Sequence, residues 1–462
     1  MNVHFIAIGG AAMHNLAIAL HLKGDRVTGS DDAIYEPSKS RLERYGLLPM
    51  QLGWWPEYIS RDLDAVILGM HAKADNPELL AAQELGLPIY SYPEYVYEQS
   101  KEKTRVVVGG SHGKTTITSM ILHVLQNTKI SFDYLVGAQI GGFENMVQLS
   151  EASVIVIEGD EYLASPIDRR PKFHLYKAHI GVISGVAWDH INVFPTFEEY
   201  KEQFSLFIDT IQEDGTLIYC EEDSALVSIV EGYDNHNKIK FLPYKALNAE
   251  IKNGDTYLEI GEGKKLKINV FGHHNLMNLN AAKLICNELG VRDDDFFQSI
   301  SSFKGANRRL EKIAENSETI VYRDFAHSPS KLKATIEAVK NQYIDRALVA
   351  CMELHTYSSV NKSFLSEYKD SMDGADIKVV FVDESNLLKK KVEPISEQDI
   401  KKAFNDENII FFNNLIELER YLSDIYIESC YNVLLMSSGN FAGIDLITFA
   451  KKILKNEKKR YF

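Results

Sequence analysis

The chain has 462 residues, of which 45% are hydrophobic and 25% are charged, so it suits about three domains of roughly 150 residues each. Its formal net charge of −15 argues against a nucleic-acid function, because proteins that bind the phosphate backbone present a basic face. The N-terminus lacks a signal-peptide pattern, no apolar run of about 18 residues occurs, and the cysteines form no CxxC pair, so we expect a reduced, cytoplasmic protein without membrane insertion.

A strand, a glycine turn and a helix occupy residues 3–23, and a second strand, "RVTGSD", ends on an acid. This order is typical of half of a nucleotide-binding α/β unit, which the runs "LDAVILGM" and "LPIYSY" continue. Ala7 and Ala12 stand where the dinucleotide fingerprint has glycine, so a nicotinamide nucleotide, the diphosphate of a UDP-sugar and a purely structural turn all stay open. The polar stretch "EQSKEKT" predicts a domain boundary near residue 103.

The next strand, turn and helix, "VVVGGSHGKTTITSM" at residues 106–120, have the composition of a phosphate-binding loop. Gly110 and Gly113 allow backbone N–H groups to approach phosphate oxygens, Lys114 adds a positive charge, and the Thr115 hydroxyl suits Mg²⁺. Val108 replaces the first glycine of the strict loop pattern. The strand before the loop and the helix after it nevertheless predict an ATP site.

Acids and histidines follow the next two apolar runs. Glu158, Asp160 and Glu161 end the run "VIVIE", and Asp189 and His190 end the run "IGVISGVAW". Ligands of open α/β sheets bind at the carboxyl ends of the strands, and carboxylate oxygens suit Mg²⁺. We therefore expect these side chains to lie near the phosphates.

Further apolar runs predict the secondary structure of the rest of the chain. A hairpin is expected in "DTYLEIGEGKKLKINVFG", a helix in "HNLMNLNAAKLICNELG", and a boundary near residues 305–312. Beyond it, "ETIVYRDFAHSPSKLKATIEAVK", "RALVACMEL", "IKVVFVDE" and "YNVLLMSSGN" alternate strands with helices. The predicted fold is therefore α/β with three domains, of which the first and last are Rossmann-like and the central one is a P-loop ATPase domain with a mostly parallel sheet.

The ordered motifs "GSHGKTT", "EGDEY", "WDH", "GHHNLMNLNAA", "FKGANRR" and "DFAHSPSK" resemble the Mur ligase family of bacterial cell-wall enzymes over essentially the whole chain. The opening "VHFIAIGGAAMHNLA" looks like the branch that binds UDP-N-acetylmuramic acid. The resemblance implies a UDP-sugar-binding domain at 1–103, an ATP-binding domain at 104–308 and an amine-binding ligase domain at 309–462. It also implies that closure of the domains completes the site.

The resemblance implies roles for individual residues. The implied catalytic residues are Lys114, His190, Arg309 and Asp324. The implied ATP-binding residues are Gly110, Ser111, His112, Gly113, Lys114, Thr115, Thr116, His274, Asn275, Asn278, Arg309, Asp324 and His327. The implied ligands of Mg²⁺, which Mn²⁺ can replace, are Thr115, Glu158 and His190. The implied UDP-sugar-binding residues are Gly9, Gly10, Ala11, Ala12, Met13, Ser30, Asp31 and His71. The implied amine-substrate residues are Arg169, Arg170, His355 and Tyr357.

The chemistry of the family explains the phosphate loop. A carboxylate becomes reactive toward an amine once ATP converts it to an acyl phosphate, and Lys114, Arg309 and Mg²⁺ would offset the charge on the transferred group. One position departs from the family, since several members carry a carbamylated lysine where this chain has Phe204, and Lys201 lies almost a turn earlier.

The acceptor amine is the open question within the family. The segments "LASPIDRRPKFHLYKAHIGVI" and "LLMSSGNFAGID" look like the recycling branch, whose acceptor is the tripeptide L-alanyl-γ-D-glutamyl-meso-diaminopimelate, and "ELHTYSSVNKSFL" looks like the branch that adds L-alanine. We expect the tripeptide and keep L-alanine as the alternative. An NAD-dependent oxidoreductase would leave the phosphate loop unexplained, and a nucleotide-switch or transport ATPase would leave "DFAHSPSK" without a role. We expect a monomer or a weak dimer.

Overall fold

The computed structural model describes residues 1–188, 193–234, 238–261 and 263–455. These residues form two compact units. Apart from the residues outside the description, the first unit consists of Met1–Val186, Phe197–Lys245 and Ala281–Ser299, and the second consists of Ala187–Thr196, Ala246–Asn280 and Ile300–Phe462.

The first unit begins with a parallel sheet of strands β1 (Asn2–Ile6), β2 (Arg26–Ser30), β3 (Ala65–Leu68) and β4 (Ile89–Ser91). The strand order is β2-β1-β3-β4. The helices of this part are α1 (Ala11–Lys23), α2 (Ser38–Arg44), α3 (Pro77–Glu84) and α4 (Tyr92–Ser100). The Ser91 hydroxyl and the Glu94 carboxylate form a capping box that starts α4. The sheet and its helices give the α/β arrangement expected at the start of the chain.

A larger sheet follows in the same unit. Its strands are β5 (Thr104–Gly109), β6 (Asp133–Leu135), β7 (Val147–Gln148), β8 (Val154–Glu158), β9 (Ile180–Ile183), β10 (Thr216–Cys220) and β11 (Lys240–Tyr244). The order is β11-β10-β9-β5-β8-β6-β7, and the pairs are parallel except for β6 with β7. The helices are α5 (Lys114–Asn127), α6 (Lys172–Leu175), α7 (Phe197–Asp209), α8 (Ser224–Glu231), part of α9 (His273–Glu288) and most of α10 (Asp293–Ile300). Parallel order brings the carboxyl ends of β5, β8 and β9 to one edge of the sheet.

The joint between these two sheets is held by a buried arginine at the start of β5. Arg105, 2% exposed, donates from Nη1 to the carbonyl oxygens of Ser100, Lys101 and Lys103 at 2.8, 2.8 and 3.2 Å. Its Nε donates to the carbonyl oxygens of Tyr176 and Lys177 at 2.9 and 3.0 Å. The chain at the predicted boundary near residue 103 is therefore fixed through its backbone.

The second unit contains an antiparallel sheet of β12 (Ala249–Lys252), β13 (Asp255–Glu259) and β14 (Lys265–Ile268). Its larger sheet consists of β15 (Glu311–Glu315), β16 (Thr319–Asp324), β17 (Ala347–Glu353), β18 (Ile377–Phe381), β19 (Ile410–Phe412) and β20 (Tyr431–Met436). The order is β15-β16-β20-β17-β18-β19, parallel except for β15 with β16. The helices are α11 (Pro329–Gln342), α12 (Glu384–Lys390), α13 (Glu397–Phe404), α14 (Leu415–Asp424) and α15 (Leu446–Leu454).

The apolar residues of the larger sheet in the second unit pack on both of its faces. One core includes Leu332, Ile336 and Met352, and the other includes Val433, Phe449 and Ile453. A strand buried on both faces reads as a continuous apolar run, which is the pattern of "LVAC" in β17 and "VLLM" in β20.

The α/β class with largely parallel sheets is confirmed. The boundaries at 103 and 308 stay a prediction. Within the described ranges, no helix is long and apolar enough to cross a membrane.

Candidate active site

The phosphate loop connects the end of β5 to the start of α5. Gly110 has φ 117° and Gly113 has φ 71°, in the left-handed region that favours glycine. A Cβ atom at Gly110 would lie 2.4 Å from Ser184 Oγ, so the loop passes close to the strand end after β9. The loop segment that follows includes Ser111, Thr115 and Thr116, which are buried, and the partly exposed His112. The N–H groups of the first turn of α5 have no partner within the helix, which is the usual setting for a phosphate group.

Lys114 is the first residue of α5, and its side chain turns back over the loop. Its Nζ donates to the Gly110 carbonyl oxygen and to Glu161 Oε2, each at 2.7 Å. Burial alone lowers the pKa of Lys114, but the carboxylates of Glu161, Asp160 and Glu158 more than offset it, so the pKa is raised. Lys114 therefore carries a proton and a positive charge at neutral pH.

Two side chains that offer oxygen atoms to a metal, Thr115 and Glu158, meet beside the lysine. Thr115 Oγ1 donates to Glu158 Oε1 at 2.7 Å, and the Gly137 N–H donates to Glu158 Oε2 at 2.9 Å. A hydroxyl and a carboxylate form the kind of oxygen set that Mg²⁺ prefers, so these residues fit the predicted metal. Asp189 and His190 lie outside the described residues. Among the residues that are described, no group of three or more His, Cys, Asp and Glu side chains is placed to hold a metal ion.

The position at which the resemblance implies a carbamylated lysine lies in an aromatic core in this chain. Phe204 is 0% exposed, and its ring lies 5.6 Å from the ring of Phe173 and 5.1 Å from that of Tyr200. Lys201 pairs with Glu198 at 2.7 Å. Neither residue contributes a carboxylate at the loop.

The two arginines predicted to bind the amine substrate differ in their surroundings. Arg170 forms hydrogen bonds with Asp168, the shortest from Nη2 at 2.7 Å, and approaches Glu94 at 3.4 Å. Arg169 is exposed, and no ion pair is found for it among the described side chains. Arg170 would have to give up its ion pair with Asp168 in order to bind a substrate carboxylate, whereas Arg169 has no such pair to give up within the part of the chain that the structure describes.

The first glycine turn is held by the acid at the end of β2. The Gly9 N–H donates to Asp31 Oδ2 at 2.7 Å, and the Ser30 carbonyl accepts the N–H groups of Ala7 and Ile8 at 2.9 and 3.1 Å. Burial raises the pKa of Asp31, although the Gly9 and Ala33 N–H groups act in the opposite direction. These bonds shape the turn ahead of α1.

Of the remaining residues predicted for the UDP-sugar, four lie at this turn in the sequence, whereas His71 is distant from it in the sequence. Gly10 is the N-cap of α1, and Ala11, Ala12 and Met13 form its first turn. His71 follows β3 in the chain and is exposed. The turn and the first turn of α1 therefore form one continuous segment of backbone.

In the second unit, the predicted adenine-side residues start α9. Asn275 Nδ2 donates to the Phe271 carbonyl oxygen at 2.9 Å, and Asn278 Nδ2 lies 3.4 Å from Asn275 Oδ1. The His274 side chain is partly exposed, yet burial of its ring, with a smaller contribution from His273, lowers the pKa of His274 to about 4. His274 is therefore neutral at pH 7.

Arg309, Asp324 and His327 lie around the end of β16. The Arg309 guanidinium stacks 4.4 Å from the centre of the Phe325 ring. Asp324 accepts the N–H groups of Leu310 at 2.5 Å and Ala326 at 2.7 Å. Burial raises the pKa of Asp324, although the Arg309 charge and these N–H groups act in the opposite direction. His327 Nδ1 lies 2.7 Å from the Phe325 carbonyl oxygen.

His355 and the C-terminal segment "SSGN" meet at the end of β17. A Cβ atom on Gly439 would lie 2.6 Å from His355 Cγ and Nδ1, so the glycine backbone packs directly on the imidazole ring. Burial lowers the pKa of His355, although the carboxylate of Glu353, 3.8 Å from its Nδ1, acts in the opposite direction. Tyr357 is 48% exposed.

Sequence reasoning singled out Glu161 as a strand-end acid without a specific role and passed over Glu353. Glu353 is 1% exposed and accepts the N–H groups of Phe441 at 2.8 Å and Ala442 at 3.3 Å, together with the Ser437 hydroxyl. It thereby holds a turn in which Phe441 and Ala442 have φ of 47° and 52°. An acid at the end of an apolar strand was the available signal in both cases.

Two family models match successive parts of the chain. Residues 2–104 match the Mur ligase family catalytic domain, and residues 108–286 match the Mur ligase middle domain. A curated relative from Caldicellulosiruptor bescii, named UDP-N-acetylmuramate–L-alanine ligase, is 31% identical over 409 residues that cover 86% of each chain. Other curated relatives carry the same name.

Two solved structures share the fold. UDP-N-acetylmuramate-alanine ligase MurC from Thermotoga maritima aligns with a TM-score of 0.67 and 21% identity over 99% of both chains. The UDP-N-acetylmuramate:L-alanyl-gamma-D-glutamyl-meso-diaminopimelate ligase of Neisseria meningitides aligns with a TM-score of 0.58 and 26% identity, over 66% of this chain and 98% of that chain.

Proposed function

Because the chain belongs to the Mur ligase family, we propose that it joins the carboxylate of UDP-N-acetylmuramic acid to the amino group of L-alanine, at the expense of ATP. The curated relatives support this acceptor, since the names cited above are those of L-alanine ligases. They support it better than the tripeptide that the sequence segments favoured, so the order of the two acceptors is reversed here.

The phosphate loop is the observation that carries the proposal. Left-handed glycines precede a charged Lys114 and Thr115 at the start of α5, and Glu158 at the end of β8 pairs with the Thr115 hydroxyl. An oxidoreductase has no use for this arrangement, whereas a ligase needs it in order to transfer a phosphoryl group. The rival nucleotide switch would use the loop but would need no acceptor.

The reaction proceeds in two steps. A carboxylate oxygen of the muramic acid attacks the γ-phosphorus of ATP, ADP leaves, and an acyl phosphate forms. The amine nitrogen then attacks the acyl carbon, phosphate leaves, and the surplus proton of the amine is released. In phosphoryl transfer, the protein contributes mainly position and charge, which Lys114 supplies at this loop. When bound, Mg²⁺ adds positive charge at the phosphate oxygens, and we assign it to Thr115 and Glu158.

The first glycine turn suits the diphosphate of the UDP-sugar. The end of β1, the turn and the start of α1 form a strand-turn-helix unit, and the helix N-terminus favours an anion. The Asp31 carboxylate accepts the Gly9 N–H, and this bond keeps the turn in its shape. We therefore place UDP-N-acetylmuramic acid at this turn.

The region of His355 suits the amine substrate. Its imidazole, with a lowered pKa, is neutral at pH 7 and offers a hydrogen-bond acceptor or a base to an ammonium group. Gly439 packs on the ring and restricts the orientation of the side chain, and Asn386 Nδ2 donates to the His355 carbonyl oxygen at 3.1 Å, which holds the backbone there. We propose that His355, with Tyr357 two residues on, binds the acceptor.

The tripeptide remains the second candidate, on the strength of Arg169. Its exposed guanidinium could bind one of the several carboxylates that the tripeptide brings, because the planar fork of arginine matches a carboxylate. The likeness to the Neisseria meningitides ligase points in the same direction.

An assay of phosphate release distinguishes the two acceptors. Purified protein with ATP, Mg²⁺ and UDP-N-acetylmuramic acid is given L-alanine, the tripeptide or no acceptor. We expect release with L-alanine and little without an acceptor, and we expect a chelator to abolish it. Release that requires the tripeptide and ignores L-alanine would establish the second candidate, and release without any acceptor would favour a nucleotide switch.

The variant Arg169→Ala tests the second candidate directly. If the tripeptide is a substrate, this change should raise its KM and leave the KM of ATP unchanged, which is the signature of lost ground-state binding. Arg170→Ala is the matched control, because Arg170 is already bound to Asp168. Equal effects of both variants would contradict a specific role for Arg169.

A further inference from the structure

The ion pair between Lys114 and Glu161 places a buried negative charge beside the phosphate loop. The two atoms lie 2.7 Å apart, and the Glu161 side chain is 2% exposed. Lys114 is the residue through which the loop offers charge to a phosphate. Its partner in this structure is therefore another anion from the same protein.

Glu161 is held from its second oxygen as well. The Tyr200 hydroxyl donates to Glu161 Oε1 at 3.3 Å, and Tyr200 is itself 0% exposed. Tyr200 is in turn packed against Phe204 on the same face of α7. The carboxylate cannot turn toward solvent without losing both Lys114 and the hydroxyl.

The neighbouring acids are neutralised to different extents. Asp160 pairs with Lys172 at 2.8 Å and is 38% exposed, so both water and a cation offset its charge. Glu158 accepts hydrogen bonds from Thr115 and Gly137, which are uncharged donors. A nucleotide phosphate that takes a share of Lys114 would therefore weaken the contact of Lys114 with Glu161 and approach two carboxylates, Glu158 and Glu161.

We propose that Glu161 is a positioning residue that holds Lys114 over the loop and makes tight nucleotide binding depend on a divalent cation. This inference rests on the proposed function, because it takes the loop to be the nucleotide site. Phosphate binding exchanges part of a carboxylate contact of Lys114 for a phosphate contact. The remaining negative charge repels a bare nucleotide and attracts one that arrives with a cation.

The test measures binding of a fluorescent ADP analogue with no turnover, once in excess chelator and once in Mg²⁺. Glu161→Gln keeps the shape of the side chain and removes its charge. We expect it to bind the analogue about tenfold more tightly in chelator, because a nearby like charge is gone, and to change binding in Mg²⁺ by less than about threefold. The ratio of the two affinities therefore falls. Unchanged or weaker binding in chelator would overturn the proposal.

A second variant decides the matter should Glu161→Gln fold poorly. Tyr200→Phe keeps the charge of Glu161 but releases one oxygen, so the carboxylate can withdraw from the phosphate. We expect this variant to bind the analogue about threefold more tightly in chelator, which is the same direction as for Glu161→Gln and a smaller effect. If the ratio of the affinities in Mg²⁺ and in chelator is the same in Tyr200→Phe as in the wild type, the positioning role is contradicted, because a hydroxyl with a merely structural role would leave that ratio unchanged.

Asp160→Asn is the matched control for loss of one negative charge near the loop. Because Asp160 is paired with Lys172 and partly exposed, its removal should shift binding in chelator by less than about threefold. An effect as large as that of Glu161→Gln would overturn the assignment to Glu161. If the wild type binds the analogue in neither condition, the proposed function falls together with this inference, whereas binding by the wild type with an unchanged Glu161→Gln variant removes this inference alone.

Discussion

Lys114 contributes to stability as well as to charge at the phosphate loop, because its partner is almost completely buried. The exposed fractions of the Lys114 and Glu161 side chains are 17% and 2%. Loss of one member of a buried pair leaves the other charge uncompensated, at a cost of about 3 kcal/mol. We expect Lys114→Ala to lower the free energy of unfolding by about that amount in denaturant titrations, and to reduce phosphate release by about 100-fold or more.

The double variant Lys114→Ala with Glu161→Gln separates the two effects. It removes the stranded charge, so the free energy of unfolding should recover while phosphate release stays low. Recovery of activity in the double variant would mean that Lys114 does not act on the phosphates. A single variant as stable as the wild type would show that Glu161 tolerates the loss of its partner.

His274 makes stability depend on pH below neutrality. Its pKa falls from 6.5 to about 4 on folding, so the folded protein binds fewer protons than the unfolded chain. The contribution is present above pH 6.5 and is lost as the pH falls toward about 4. It amounts to about 2 kcal/mol between neutral pH and about pH 5.

Urea titrations at these two pH values measure this loss. His274→Gln cannot take up the proton, so we expect its free energy of unfolding to fall by about 2 kcal/mol less than that of the wild type. The neighbouring His273 is exposed, and His273→Gln should keep most of the pH dependence of the wild type. Identical pH dependence in wild type and His274→Gln would show that other groups titrate in this range.

At the scale of single elements, the phosphate loop depends on close backbone packing. A side chain at Gly110 would meet both an unfavourable φ of 117° and Ser184 Oγ at 2.4 Å. We expect Gly110→Ala to lower the free energy of unfolding by about 3 kcal/mol and to weaken nucleotide binding by at least about tenfold.

Gly46 is the matched control, because its φ is 68° and nothing lies within 4 Å of an added Cβ atom. Gly46→Ala should cost about 1 kcal/mol, from the backbone conformation alone, and should leave nucleotide binding unchanged. Differential scanning fluorimetry follows the stability of the two variants, and titration with the ADP analogue follows their nucleotide binding. Equal costs at the two positions would mean that the loop can move away from Ser184.

The elements that sequence predicts well are those with local signals. The loop at Gly110 to Lys114 and the strands around it follow from glycine spacing and apolar runs, and the carboxyl end of β8 carries the acids that the pattern indicated, whereas Asp324 at the end of β16 was identified through the family resemblance. The bonds of Glu161 to Lys114 and of Glu353 to Phe441 span 47 and 88 positions, respectively. Such pairs depend on how strands are ordered in the sheet, and no local pattern contains that information.

For the molecule as a whole, substitution of Arg105 tests whether the predicted boundary near residue 103 behaves as a linker independent of the two sheets. A charged donor bound to buried carbonyl oxygens contributes about 1.5–3 kcal/mol per bond. We expect Arg105→Met to lower the free energy of unfolding of the full chain by about 3 kcal/mol or more. Lys101→Ala is the control, because its Nζ lies in a half-exposed pair with Glu98, and it should cost less than about 1 kcal/mol.

Denaturant titration of the two variants measures the difference. Limited proteolysis adds a readout of the joint itself, since cleavage between residues 98 and 104 should rise in Arg105→Met and not in Lys101→Ala. Equal protection in both variants would show that the sheets on either side are held together without Arg105.

The contacts of Arg105 have a consequence for how this joint can change over evolution. Because the guanidinium binds main-chain oxygens, every amino acid at positions 100, 101 and 103 offers it the same acceptor, so these bonds do not depend on the side chains there. Deleting or inserting one residue there would instead shift the oxygens along the chain by about 1.5 Å even at the rise of a helix, which exceeds the tolerance of a hydrogen bond. Through the bonds of Arg105, selection at this joint therefore acts on the number of residues, whereas selection on identity there comes from other contacts, such as the ion pair of Lys103 with Asp133.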